Sequence, residues 1–281
     1  MKKVLVLSAL LITLLGCNKG SNSYKYPVDY EYGIFLGCSG KDKEKISKYH
    51  NVCVDIDEFS TSDINYLKDK ECDIYAYISV GSLEKYRDYY KEFEKYTFLD
   101  YENWPDERWI NISEKSWINH LISEATRFKN NGASGLFMDN FDVYYIASEV
   151  YDGGEEFKEA IYQGCLEVLN AFSELDMSLI INSGSTLLER INEENPTLLD
   201  KIDCYCQESV FSSIVDYDDN IFGKQNKEDH EYYLEMISLM KSHSDILLLE
   251  YTVDTKLQKE VVSYCKQNNC HYYISNNVDL K

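Results

Sequence analysis

Asp139-Asn140-Phe141-Asp142 closes an unbroken apolar run, Leu136-Phe137-Met138, that is entered through Gly132 and Gly135. Consecutive apolar residues suit a strand covered on both faces, and such a strand, ending abruptly in acid and amide, delivers carboxylates to a pocket. Asp139 is therefore the first candidate for chemistry, although an Asx residue at this point would serve equally well as a helix cap. Other apolar runs end in the same way: Asp55 and Asp57 close one, Ser79 and Ser82 another, and Asn182, Glu208, the pair Glu250-Tyr251 and Asn276 close four more. Surface loops of random composition would not place a carboxylate, amide or hydroxyl at nearly every such end.

These residues need a frame that gathers them. Eight short apolar or β-branched runs span residues 32–36, 52–56, 74–80, 135–138, 178–181, 203–206, 246–249 and 271–274. Between most of them the spacing turns helical. Ile118, Leu121, Ile122, Ala125 and Phe128 recur every three to four residues, as do Phe157, Ile161, Cys165, Leu166, Val168, Leu169 and Phe172, and then Tyr233, Leu234, Ile237, Leu239 and Met240. Strands alternating with helices imply parallel pairing. Eight such units in one chain of this length predict a single (β/α)8 TIM barrel over residues 28–281, an α/β fold whose strand C-terminal ends share one mouth. A doubly wound open sheet is the competing architecture, but no G-x-G-x-x-G turn follows the first strand.

Two carboxyl groups astride one bond are what glycoside hydrolysis requires: one protonated to serve the leaving oxygen, the other ionised to attack or to activate water. Neighbouring acids in a partly dry pocket raise one another's pKa and supply the protonated member near neutrality. No Ser-His pair, cysteine elbow or phosphate loop offers a rival chemistry. The 25 tyrosines and three tryptophans include enough flat faces to stack on sugar rings. The run Tyr86, Tyr89, Tyr90 reads instead as one face of a helix.

The chain of 281 residues has a formal charge of −21, which disfavours nucleic acid as a partner and would attract a cationic polymer. Residues 1–16 carry Lys2 and Lys3, an apolar run too short to span a bilayer, and a small residue before Cys17. They read as a secretion signal of the bacterial lipoprotein type, with Cys17 lipidated, residues 17–27 a flexible tether, and the body held at the extracellular face of a bacterial membrane. Nine cysteines in an exported chain permit disulfides without showing them; Cys204 and Cys206 share one strand face and are poorly placed to bond each other. The five histidines are scattered and no C-x-x-C occurs, so neither a metal nor another cofactor is expected.

Ile78-Ser79-Val80-Gly81-Ser82 with Glu84 and Arg87, then Trp104-Pro105 and Arg108-Trp109-Ile110-Asn111-Ile112, then Gly135 through Asp142, resemble successive blocks of glycoside hydrolase family 114. Val54-Asp55-Ile56-Asp57 upstream, and Ile181-Asn182, Cys206-Gln207-Glu208-Ser209 and Glu250-Tyr251 downstream, carry the resemblance across the mature chain. It implies a (β/α)8 barrel acting as an endo-α-1,4-polygalactosaminidase on galactosamine-rich polysaccharide, with the family's paired carboxylates at Asp139 and Glu208. Asp139 would then be nucleophile or base and Glu208 the acid, or the reverse, with Glu250 a rival for the second position. Asp55, Asp57, Ser79, Asn140, Asp142, Asn182, Glu250 and Tyr251 would bind substrate. A carbohydrate-binding lipoprotein without turnover is the main alternative; metal-assisted hydrolysis with Asp55, Asp57 and Asp139 as ligands is a third.

Overall fold

The computed structural model describes residues 27–281. The expected signal segment, Cys17 and the tether up to residue 26 lie outside the described residues. In chain order the strands are β1 (Tyr32–Phe35), β2 (Asn51–Val54), β3 (Asp73–Ser79), β4 (Ser82–Glu84), β5 (Thr97–Asp100), β6 (Glu107–Ile110) and β7 (Gly135–Asp139). They continue with β8 (Ser178–Asn182), β9 (Cys204–Glu208), β10 (Ser212–Asp216), β11 (Ile221–Lys224), β12 (Asp245–Tyr251) and β13 (His271–Ser275).

One parallel sheet of eight strands, in the order β1-β2-β3-β7-β8-β9-β12-β13, wraps into the expected (β/α)8 barrel. Its strands match all eight predicted runs. They read as continuous apolar segments because one face fills the barrel and the other meets the helices: β2 is buried throughout, and so are β3 from Ile74 and β12 from Ile246. At the seam between first and last strands, the rings of Tyr32 and His271 lie 5.1 Å apart and those of Phe35 and Tyr273 lie 5.4 Å apart.

The helix Lys115–Asn130 buries Trp117, Ile118, Leu121, Ala125 and Phe128, the stripe its spacing predicted with Trp117 in place of Ile122. Trp117 donates its indole N–H to the carbonyl of Val80 at 2.9 Å, which pins this helix to the end of β3. Helix Gly154–Ser173 crosses the neighbouring backbone closely: a Cβ on Gly164 would stand 2.8 Å from the carbonyl carbon of Ile112.

Five strands go beyond the eight that the sequence predicts. β4, β6 and β5 form a small antiparallel sheet inserted after β3, and β10 pairs antiparallel with β11 in a hairpin inserted after β9. Both insertions leave from C-terminal ends of barrel strands, so both lie over the mouth. Their apolar residues are intermittent and half-exposed, as in β5 and β10, because each buries only one side, and this weakens the strand signal. The predicted helical face Tyr86, Tyr89, Tyr90 is also corrected. Tyr90 opens a single turn (Tyr90–Phe93), Tyr89 packs 4.2 Å from the ring of His120, and Tyr86 is 63% exposed and lines the mouth. The eight cysteines among the described residues are all free and buried.

Candidate active site

Three adjacent barrel strands end in the same backbone manoeuvre. Asp139, Asn182 and Glu208 are the last residues of β7, β8 and β9, and the next residue in each case is left-handed: Asn140 at φ 67°, Ser183 at φ 57° and Ser209 at φ 55°. A non-glycine residue in that region costs about 1 kcal/mol, so three in a row mark a place where geometry outweighs stability. Each reversal turns the chain off its strand and leaves the terminal side chain directed into the mouth. Gly81 supplies the room beside them, since a Cβ there would come within 2.0 Å of the carbonyl oxygen of Asn140.

The reversals bring Asp139 and Glu208 to either side of one amide. Asn182 Nδ2 donates to Asp139 Oδ1 at 3.0 Å and to Glu208 Oε1 at 2.6 Å. With the two amide N–H bonds about 120° apart, those oxygens stand roughly 5 Å from each other. Asp139 also accepts from the backbone N–H of Asn140 at 2.9 Å and from the phenol of Tyr77. Glu208 Oε2 accepts from Tyr251 Oη at 3.1 Å. Burial raises the pKa of Asp139 against these donors, and burial together with the charge of Asp139 pushes Glu208 up to about 7. Asn182 Oδ1 is buried and accepts no hydrogen bond.

Asn140, Asp142 and Asp55, expected from the sequence at the mouth, also line this pocket. Asn140 is fixed on three sides, accepting from Tyr101 Oη at 3.1 Å and donating to Ser79 Oγ at 2.9 Å and Ser82 Oγ at 3.1 Å. Asp142 accepts from the N–H of Gly184 at 3.3 Å; burial and the nearby Asp139 push its carboxyl up to about 7. Asp55 is held by Arg87, whose Nη2 lies 2.9 Å away.

Five predicted strand-end residues sit elsewhere, the buried Ser82 among them. Ser79 is buried and spends its hydroxyl on Ser82 and Asn140, so it supports the wall instead of forming it. Asp57 turns away to Arg127, at 2.7 Å and 3.0 Å. Glu250 is fully buried, and its oxygens are taken by the N–H of Phe211 (3.0 Å) and by the N–H (2.8 Å) and hydroxyl (2.5 Å) of Ser212. It ties β12 to the root of the β10–β11 hairpin and does not reach the pocket. Asn276 lies outside the lining as well. Asp57 therefore does not join Asp55 and Asp139 in the pocket, and among the described residues no three His, Cys, Asp or Glu side chains could hold a metal ion.

The pocket has a volume of about 730 Å³ and gains residues that strand-end reading missed, chiefly from the two insertions. Glu84 and Glu107 come from β4 and β6, Tyr101 and Trp104 from the β5–β6 loop, and Tyr217 from the β10–β11 hairpin. Tyr101 stacks on Trp109 at 4.3 Å and 17°, presenting its edge to the acids. Trp104 meets Tyr217 at 5.6 Å, so the two insertions touch above the mouth. The available signal was proximity: Glu84, Trp104 and Glu107 lie in or beside the blocks that carried the family resemblance.

A nearly closed (β/α)8 barrel with a carboxylate pair at the strand C-terminal ends is an architecture that suits glycoside hydrolysis. The profile of glycoside-hydrolase family GH114 matches residues 17–278, and the chain belongs to that family. Among solved structures it is similar to the glycoside hydrolase domain of PelA from Pseudomonas aeruginosa, with a TM-score of 0.73 and 16% identity over 89% of this chain and 95% of that one. It is also similar to Ega3 from Aspergillus fumigatus in complex with galactosamine, with a TM-score of 0.68 and 16% identity over 92% and 95% of the two chains. An α-galactosidase from Thermus thermophilus follows at a TM-score of 0.56 and 8% identity, over 88% and 58%. These identities speak for the fold. No curated protein matches the chain.

Proposed function

We propose that this glycoside hydrolase cleaves α-1,4-linked, galactosamine-rich polysaccharide from within the chain, by double displacement between Asp139 and Glu208. The observation that carries the mechanism is the single amide of Asn182 held between the two carboxylates, which sets their oxygens roughly 5 Å apart, the spacing of retaining enzymes and too short for a water between acid and base. Ega3, a structural relative, was solved with galactosamine, and this supports an amino sugar as the substrate unit.

Donor placement favours one division of roles. Asp139 receives a backbone N–H, an amide N–H and a phenol, so it carries negative charge the more readily and is the nucleophile. Glu208, raised to about 7, keeps a proton into the neutral range and is the acid. In the first step Glu208 protonates the glycosidic oxygen as its bond to C1 breaks, and Asp139 forms an ester to C1. In the second, Glu208, now ionised, takes a proton from water; the hydroxide equivalent attacks C1 and frees the Asp139 carboxylate. Asn182 stays bonded to both groups and exchanges charge support between them.

The acidic chain would draw a polycation to the mouth. Cys17, as lipid carrier, would place the enzyme at the outer face of a bacterial membrane. The test uses soluble protein beginning after Cys17, incubated with a panel of amino-sugar polymers. New reducing ends are expected from an α-1,4-galactosamine polymer and not from β-1,4-glucosamine polymers. Binding without reducing ends from any polymer would identify a carbohydrate-binding protein instead.

A further inference from the structure

Among the aromatic side chains that line the pocket, Tyr101, Trp104 and Tyr251 meet other rings, those of Trp109, Tyr217 and Phe222. Tyr86 lines the same space but is 63% exposed. A lone exposed tyrosine is ordinary on a surface; a rigidly held one at the rim of a polysaccharide pocket is not. Its Oη donates to Glu84 Oε1 at 2.5 Å, and the guanidinium carbon of Arg87 lies over the ring, 5.0 Å from its centroid. Both anchors are themselves fixed. Glu84 is 4% exposed, and Arg87 is gripped at Nε by Glu84 (2.6 Å) and at Nη2 by Asp55 (2.9 Å).

The ring is thus tied at its edge and backed on one face by a cation, which leaves the second face as the open one. Its orientation is set before any ligand arrives, so little ordering cost remains to be met on binding. Arg87 already draws on the π-system from behind, which makes the open face a poor seat for another cation and a good one for carbon-bound hydrogens. A pyranose of galacto configuration offers such a surface, because its axial O4 leaves the hydrogens of C3, C4 and C5 together on one side. Location decides which sugar this is. Through Arg87 and Asp55, Tyr86 is anchored at the end of β2, four strands round the ring of eight from β9, which carries Glu208.

We propose that Tyr86 is the platform of a second sugar subsite, on the rim opposite Glu208, where it stacks on the C3–C4–C5 face of one unit while the bond to be cut lies between the acids. This rests on the polysaccharide reading above. It adds a place and a mode of contact that depend on the carbon skeleton of the sugar and not on its substituent at C2.

The probes are hexamers of α-1,4-galactosamine and of α-1,4-galactose, with an aryl α-glycoside of a single galactosamine that reaches only the acids. In Tyr86→Trp, which keeps a flat face and reports on it, a hexamer should shift the indole emission to the blue beyond any shift in wild type. Tyr86→Ala should raise KM for the galactosamine hexamer about tenfold, with kcat and the aryl glycoside changed less than about twofold, the pattern of lost uniform binding. Tyr86→Phe, which keeps the ring and gives up the bond to Glu84, should stay within about threefold of wild type on the hexamer. No extra emission shift with either hexamer, or equal losses on hexamer and aryl glycoside, would overturn the proposal. So would a Tyr86→Phe as impaired as Tyr86→Ala, since the residue would then be a brace for Glu84. A shift with the galactose hexamer alone would uphold the platform and remove the amino-sugar reading; a shift without cleavage would uphold it and remove the hydrolase mechanism.

Discussion

Asp139→Asn is expected to abolish cleavage of a galactosamine polymer, lowering turnover by about 10⁴-fold or more, as removal of a covalent nucleophile does. Glu208→Gln should lose about 10²–10⁴-fold on the same polymer, the range for a general acid. The two variants should part company on an aryl glycoside with an activated leaving group. That leaving group needs no proton, so Glu208→Gln should recover its first step as a burst of released phenol. Asp139→Asn should not recover, because no bond to C1 can form. Both variants should unfold at or above the temperature of wild type, since each replaces a buried acid of raised pKa by a neutral amide that fits the same space. A burst from Asp139→Asn and none from Glu208→Gln would reverse the assignment.

The second large effect is on stability. Glu208, Asp142 and Glu250 are pushed up to about 7 and Glu107 to about 8, in each case chiefly by burial. In the unfolded chain the same groups titrate near about 4. The folded state therefore binds these protons more tightly, and its advantage is complete below the unfolded values and is lost as pH rises through about 7 to 8. Asp29 and Asp63 are lowered, the first against its burial by hydrogen bonds from His271 and the backbone N–H of Glu31, the second by Lys43 and Ser60. Their contribution disappears only as pH falls below the ordinary carboxylate range, outside this window. Thermal unfolding should thus occur on the order of 5–10 °C higher at pH 5 than at pH 8. Asp142→Asn should flatten that slope by removing one of the four groups. A midpoint that climbs from pH 5 to pH 8 would contradict the burial of these acids.

The barrel was legible because its strands are covered on both faces. Runs such as Leu136-Phe137-Met138 have no polar alternation to confuse them with an edge, and the helices between them repeat cleanly. The residue after the strand was then a sound guide to the mouth, where Asp139, Asn140, Asn182 and Glu208 lie together. It failed where a second requirement claimed the side chain. Glu250 follows an apolar run as Glu208 does, but it stands one step past Leu249, the register partner of Glu208, and the hairpin after β9 brings three donors down onto it, while Asp57 is drawn outward by Arg127, 70 residues away. Neither partner is visible in local spacing. The insertions were illegible for a related reason. β4, β5, β6 and the β10–β11 hairpin bury one side each, so Glu107, Tyr101 and Tyr217 enter the pocket from segments with weak periodicity. Tyr86 belongs with them, since its exposure follows from the turn that brings Arg87 back to Glu84.

The double displacement proposed for the two acids that share the amide of Asn182 would retain the anomeric configuration. Proton NMR of the first minutes of hydrolysis, before mutarotation, reads that course directly. If Asp139 forms a glycosyl ester that water then displaces, an α-linked oligomer should release its new reducing end first as the α-anomer, with the β-anomer growing in afterwards. Release of the β-anomer first would mean that water attacks in a single displacement, and it would contradict Asp139 as nucleophile and Glu208 as its partner acid.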